Sequence, residues 1–97
     1  MQITGLAVAF DRLRYKMRIS NITSRVLEDH HRGALMVTYV DGLTNVILRT
    51  DVIMGSETAA RRRLNQSLTE LWREGDTYKL IVDRGLNGVG YRIVRLH

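Results

Sequence analysis

The chain has 97 residues, contains neither cysteine nor proline, and carries a net charge of +5 with a pI near 10.2. Its length predicts a single domain over residues 1–97. The lack of cysteine excludes disulfides and thiolate metal sites, and no apolar run reaches the ~20 residues of a transmembrane helix. Thirteen of the cations are arginine, and such a surplus favours a polyanionic partner such as nucleic acid.

The N-terminal part of the chain, residues 2–27, predicts a small antiparallel sheet. Between residues 13 and 19 a period of two separates apolar from basic side chains, as in a half-buried strand: Leu13, Tyr15, Met17 and Ile19 alternate with Arg14, Lys16 and Arg18. Residues 25–27 are a candidate third strand. We interpret the basic row as the solvent-facing side of this sheet, with a DNA-contacting surface as the alternative.

Three helices are predicted next, at residues 29–40, 49–54 and 57–74. The third is the clearest, because apolar residues recur in it at helical spacing: Ala60, Leu64, Leu68 and Leu71. Ser56 or Thr58 can cap its start, and Gly75 can end it. A hairpin at residues 78–95 follows. This order predicts an α+β winged helix-turn-helix fold with an N-terminal antiparallel sheet, three helices and a C-terminal hairpin wing.

The polar side of the third helix is the candidate DNA-binding site. Gln and Asn can bond adenine with two hydrogen bonds, Arg can do the same with guanine, and Thr suits a phosphate or a thymine methyl. The hairpin tip adds an arginine and an asparagine that can reach a minor groove or a phosphate. The candidate residues are Arg61, Arg62, Asn65, Gln66, Thr69, Arg73, Arg84 and Asn87. The alternatives are a solvated helix face and a tight turn that uses Gly and Asn for its backbone.

Three stretches resemble the winged-helix effector domains of the OmpR/PhoB and ToxR/CadC transcriptional regulators. VILRTDVI at 46–53 resembles the start of that family's second helix, LNQSLTEL at 64–71 its recognition helix, and GVGYRIV at 88–94 the end of its wing. Leu48 and Met54 depart from the family's pattern, which has Ser or Thr and Trp at these places. Trp72 stands where the family has a basic residue.

The resemblance implies a cytoplasmic transcription factor whose helix enters the major groove of double-stranded DNA and whose wing touches the flanking minor groove. It also implies homodimers on direct repeats and contact with RNA polymerase. A chain that begins with this domain is expected to be a stand-alone regulator or, if ToxR-like, part of a longer protein at the inner face of a membrane.

We expect no enzymatic activity, no cofactor and no metal. The cluster Glu28-Asp29-His30-His31 lacks the i, i+4 histidine spacing of zinc helices, and the glycines at 85–90 lie in a hairpin and not between a strand and a helix. A protein-interaction module on a winged-helix scaffold is the main alternative function. RNA binding is a weaker one, because the aromatic residues are scattered and form no stacking platform.

Overall fold

The structure, a computed structural model, describes the backbone of residues 3–28, 35–85 and 88–97 and the side chains of residues 13–28, 35–83 and 90–97. These described ranges contain two helices and four strands. In chain order these are α1 (Ile3–Leu27), β1 (Leu35–Asp41), β2 (Ile47–Ile53), α2 (Glu57–Leu71), β3 (Tyr78–Gly85) and β4 (Gly88–Arg95). The strands form one mixed sheet in the order β2-β1-β4-β3.

Two antiparallel hairpins, β1–β2 and β3–β4, are joined by a parallel ladder between β1 and β4. In this ladder Val37 lies opposite Tyr91 and Tyr39 lies opposite Ile93. Because side chains on a strand alternate between the two faces, Val37, Tyr39, Tyr91 and Ile93 share one face of the sheet. All four are buried beneath the helices.

The predicted N-terminal sheet is wrong, because residues 3–27 form a single helix. Its buried stripe is Ile19, Ile22 and Val26, which recur every three or four residues as on one side of a helix. Leu13 and Met17, which completed the period of two, are more than half exposed. None of the helices in the described ranges is long and apolar enough to cross a membrane.

The first two of the three predicted helices, at residues 29–40 and 49–54, are also wrong. Residues 35–41 and 47–53 are strands, while residues 29–34 of the first predicted helix lie outside the described residues. Leu35, Val37 and Tyr39 alternate inward along β1, and β-branched and aromatic residues favour this extended conformation. In β2 the same alternation turns Asp51 and Ile53 inward.

The predicted hairpin at 78–95 has strands at 78–85 and 88–95, but it is not a wing. β4 is hydrogen-bonded on both sides, to β3 and to β1, and is a central strand of the only sheet in the described residues. A wing projects from a helical core, whereas here the hairpin supports the core. The winged helix-turn-helix fold is therefore wrong, and the chain is an α+β protein with two helices on a four-stranded mixed sheet.

The helices and the sheet form two layers with one hydrophobic core between them. The core comprises Ile19, Ile22, Val26, Leu27, Leu35, Val37, Tyr39, Ile53, Ala60, Leu64, Leu68, Trp72, Tyr91 and Ile93. The second sheet face is open to solvent, since Met36 and its cross-strand neighbour Val52 are 53% and 54% exposed. The molecule thus presents two different surfaces, one helical and one formed by strands.

Candidate nucleic-acid interface

The helix α2 is defined by its caps. Ser56 has an extended backbone, and its hydroxyl accepts a hydrogen bond of 3.2 Å from the Ala59 amide. Glu57 in the first turn adds a negative charge at the positive end of the helix dipole. The helix ends at Leu71, three residues before the predicted end, and Gly75 follows with a φ of +89°. Such a φ favours glycine, which has no side chain to clash.

The side of α2 that faces away from the sheet carries four of the predicted DNA-binding residues. Ala60, Leu64 and Leu68 are buried on the inner side. Arg62, Gln66 and Thr69, together with Arg73 two residues beyond the helix, are exposed, and we call these four residues the α2 surface. Gln66 donates a hydrogen bond of 3.2 Å to the Glu70 carboxylate, which leaves its amide oxygen available as an acceptor.

Two predicted residues, Arg61 and Asn65, point toward α1. The Arg61 guanidinium donates to the Ser24 hydroxyl at 3.2 Å and forms an ion pair with Glu57 at 3.4 Å. The Thr23 hydroxyl donates to the amide oxygen of Asn65 at 2.6 Å. These contacts hold the two helices together, so neither residue belongs to the α2 surface.

The two remaining predicted residues are those of the hairpin tip. Arg84 belongs to the edge strand β3, and its side chain lies outside the described residues, as does the whole of Asn87. Because the hairpin is not a wing, the reason for placing these two residues beside the recognition helix is lost.

The pairing of α1 with α2 is antiparallel. Tyr15, early in α1, donates from its hydroxyl to the backbone carbonyl of Trp72 at 2.6 Å, whereas Thr23, later in α1, meets Asn65 in the middle of α2. Trp72 is buried, with its ring in an edge-on contact with that of Tyr39 at a centroid distance of 6.4 Å. It is therefore not available to stack on a base.

The basic residues of α1 are distributed around the helix. Arg14, Lys16 and Arg25 are exposed and have no ion-pair partner among the described residues. Arg18 is partly buried, and its guanidinium donates to the Asp76 carbonyl at 3.3 Å. The predicted flat basic row therefore does not exist. Lys16 lines a cleft between the two helices, while Arg14 and Arg18 line a neighbouring cavity.

A cleft lies between α1 and α2 on the outer side of the helical layer. It has a volume of about 280 Å³ and is lined by Tyr15, Lys16, Ile19, Ser20, Asn65 and Thr69. We call it the helix cleft. A second cavity of about 340 Å³ lies next to it, lined by Arg14, Tyr15, Arg18, Glu74 and Gly75.

The opposite flank of α2 carries a polar cluster that the sequence did not reveal. The buried Ser67 hydroxyl donates to the buried Asp51 carboxylate at 2.5 Å, and Arg63 forms an ion pair with the same carboxylate at 3.1 Å. Arg49 pairs with Glu70 at 2.7 Å, and the hydrogen bond lowers the pKa of Glu70. In the sequence, the only indication of this cluster was the position of Asp51, which faces inward when residues 47–53 are a strand. Because residues 49–54 were predicted to be a helix, this indication was missed.

The central pair of this cluster, Ser67 and Asp51, is buried. Within the described ranges, no three His, Asp or Glu side chains lie close enough to hold a metal ion. The cluster's contacts instead fix α2 to β2, which orients the α2 surface outward. Comparison of the chain with known protein families, characterised proteins and solved structures gives no match.

Proposed function

We propose that this protein binds double-stranded DNA through the α2 surface. The observation that supports this proposal is a set of exposed cations with no ion-pair partner among the described residues. Arg62 and Arg73 flank Gln66 and Thr69, and Lys16 lies across the helix cleft. Uncompensated cations attract phosphates and release counterions from DNA on binding.

The dimensions of α2 suit the major groove. A helix with its side chains is about 10–12 Å wide, and the groove is about 12 Å wide. From Arg62 to Thr69 the exposed face is about 10 Å long at 1.5 Å per residue, which matches about three base pairs. Gln66 lies in the middle of this face and suits adenine, while the arginines suit guanine or phosphate.

The proposal requires no wing. In a winged helix the hairpin touches DNA beside the recognition helix, whereas here β3 and β4 belong to the sheet under the helices. We therefore expect contacts beyond α2 to come from α1, which is packed alongside it. Lys16 is an α1 cation beside the α2 surface, since it shares the helix cleft with Thr69.

The test is fluorescence anisotropy with a labelled duplex at low and moderate salt, for the wild type and two matched variants. We expect Arg62→Gln to weaken binding. Arg92→Gln removes an exposed arginine from the open sheet face, opposite the helices, and is expected to bind like the wild type. Undetectable binding at low salt, or equal losses in both variants, would refute the proposal.

A protein partner on the open sheet face is the second candidate function. Met36 and Val52 lie side by side on it and are more than half exposed, and Ile47 on the edge strand β2 is 62% exposed. Exposed apolar patches and unprotected strand edges favour association with another chain. Sedimentation equilibrium would show self-association as a mass that rises with concentration, and we expect Val52→Lys to reduce it.

A further inference from the structure

We propose that two copies of this protein pair through the outer edge of β2 and form a two-fold symmetric dimer. The inference rests on the second candidate function and deepens it, because it names the partner as a second copy and the contact as a strand edge. β2 is an edge strand of the sheet, and no described strand pairs with its outer side. The backbone amides and carbonyls on that side are therefore available to another strand.

The edge of β2 lacks the features that usually keep strands from pairing with other chains. Proline and lysine are absent from Ile47–Ile53, although both are common on protected edges. The two charged residues of the strand turn toward the helices, where Arg49 pairs with Glu70 and Asp51 pairs with Arg63. The other face of β2 consequently carries no charged side chain.

An antiparallel pair centred on Thr50, the middle residue of β2, suits this edge best. It places Arg49 opposite Asp51 of the second copy. It also places Leu48 opposite Val52, and both are exposed apolar side chains that can pack across the two strands. A pair centred on Arg49 or on Asp51 instead places two like charges directly opposite each other, which destabilises a sheet.

The charges on the α2 flank beside this edge are complementary under the same symmetry. Arg63, which is bonded to Asp51, has a side chain that is 52% exposed. Glu70, which is bonded to Arg49, is 47% exposed, so one end of the edge presents a cation and the other a carboxylate. An antiparallel pair brings the cation of each copy next to the carboxylate of the other. This complementarity favours a second copy of the chain as the partner.

The first test is sedimentation equilibrium of the wild type over a wide range of concentrations. We expect the mass to rise from one chain to two and no further, because a two-fold contact uses the same edge of both copies and closes the assembly. Thr50 is exposed, and Thr50→Lys places two ammonium groups opposite each other. This variant should raise the dissociation constant of the dimer by at least about tenfold.

Thr77→Lys is the matched control for this charge. Thr77 is exposed and lies just before β3, at the other edge of the sheet. The same substitution there adds the same charge without touching the proposed contact, so we expect the wild-type dissociation constant. Circular dichroism shows whether both variants keep their fold.

A disulfide cross-link tests the register. The chain has no cysteine, so Thr50→Cys introduces a single thiol, which lies opposite its own copy in the proposed pair. Oxidised glutathione takes up the two electrons as two such thiols form a disulfide. Val52→Cys is the matched control on the same strand, because it is displaced from its own copy by four residues, about 13 Å, which exceeds the reach of a disulfide. We expect covalent dimers on a denaturing gel for Thr50→Cys and far fewer for Val52→Cys.

The outcomes distinguish this dimer from other kinds of association. A mass of one chain at every concentration refutes the pairing. If a dimer forms but Thr50→Lys behaves like Thr77→Lys and Thr50→Cys gives no cross-link, the edge pairing is wrong and the second candidate function stands. DNA binding is judged separately by Arg62→Gln, because Arg62 belongs to the α2 surface and not to this edge.

Discussion

Ser67 on α2 and Asp51 on β2 are joined by a 2.5 Å hydrogen bond in which both side chains are buried. A buried carboxylate is costly unless its oxygens are paired, and here Ser67 serves one oxygen while Arg63 serves the other. This bond fixes the rotation of α2 over the sheet, because Ser67 lies on the flank of the helix that faces β2.

Ser67→Ala is expected to lower the free energy of unfolding by about 1–3 kcal/mol, since it leaves one oxygen of a buried carboxylate without its donor. Urea unfolding followed by circular dichroism measures the change. Thr58→Ala, at an exposed position in the first turn of α2, should change stability by less than about 0.5 kcal/mol. Equal effects would mean that the Ser67 bond contributes little.

The helical stripe of α1 can be tested against the period-two pattern in the same segment. Ile19 is 7% exposed and Met17 is 56% exposed. Ile19→Ala should therefore cost about 2–5 kcal/mol, the range for a large-to-small core substitution, whereas Met17→Ala should be nearly neutral. In a strand the two residues would share a face, and comparable losses would contradict the helix.

Stability is expected to fall in alkaline solution. Burial raises the pKa of Tyr15, Tyr39 and Tyr78 above the ordinary 10.0. Above about pH 10 the unfolded chain releases these protons before the folded chain does, so stability present below that pH is lost as the pH rises. Urea midpoints measured between about pH 8 and 11 should decrease. Tyr39→Phe should show a smaller decrease, and an unchanged pH profile would contradict the prediction.

The salt dependence of DNA binding should report individual phosphate contacts. A cation that neutralises one phosphate contributes about one unit to the slope of log affinity against log salt. Arg73→Gln should lower this slope by about one without changing the preferred sequence. Gln66→Ala should instead keep the slope and relax the preference at one base pair. A selection of bound sequences from a random duplex pool would reveal that change, and an unaltered preference would exclude Gln66 from base contacts.

The sequence predicted α2 because its start, end and buried stripe are all local signals. Ser56 caps it, Gly75 follows its end, and Leu64 and Leu68 recur at helical spacing. The alternation of residues 13–19 fits the period of two that is typical of a strand. Only the buried residues further along, Ile22 and Val26, show that this segment is a helix. The ladder between β1 and β4 had no local signal, because its partners lie far apart in the chain.

The sequence likewise predicted only part of the candidate site. A helical wheel is enough to place Arg62, Gln66 and Thr69 on the exposed side of α2. The inward turn of Arg61 and Asn65 depends on their contacts with Ser24 and Thr23, and these exist only because α1 is a helix. The incorrect prediction of a sheet at residues 2–27 therefore also led to the incorrect placement of Arg61 and Asn65 in the site.

The central position of β4 determines when this protein can fold. Met36 pairs with Gly90, which lies much later in the chain, so the helices and the first hairpin are synthesised before the strand that completes their core. Until then β1 has an open edge beside apolar side chains, which is a state prone to aggregation. Folding is therefore expected to follow synthesis of the last strand, and chains that stop before residue 88 should accumulate as insoluble material.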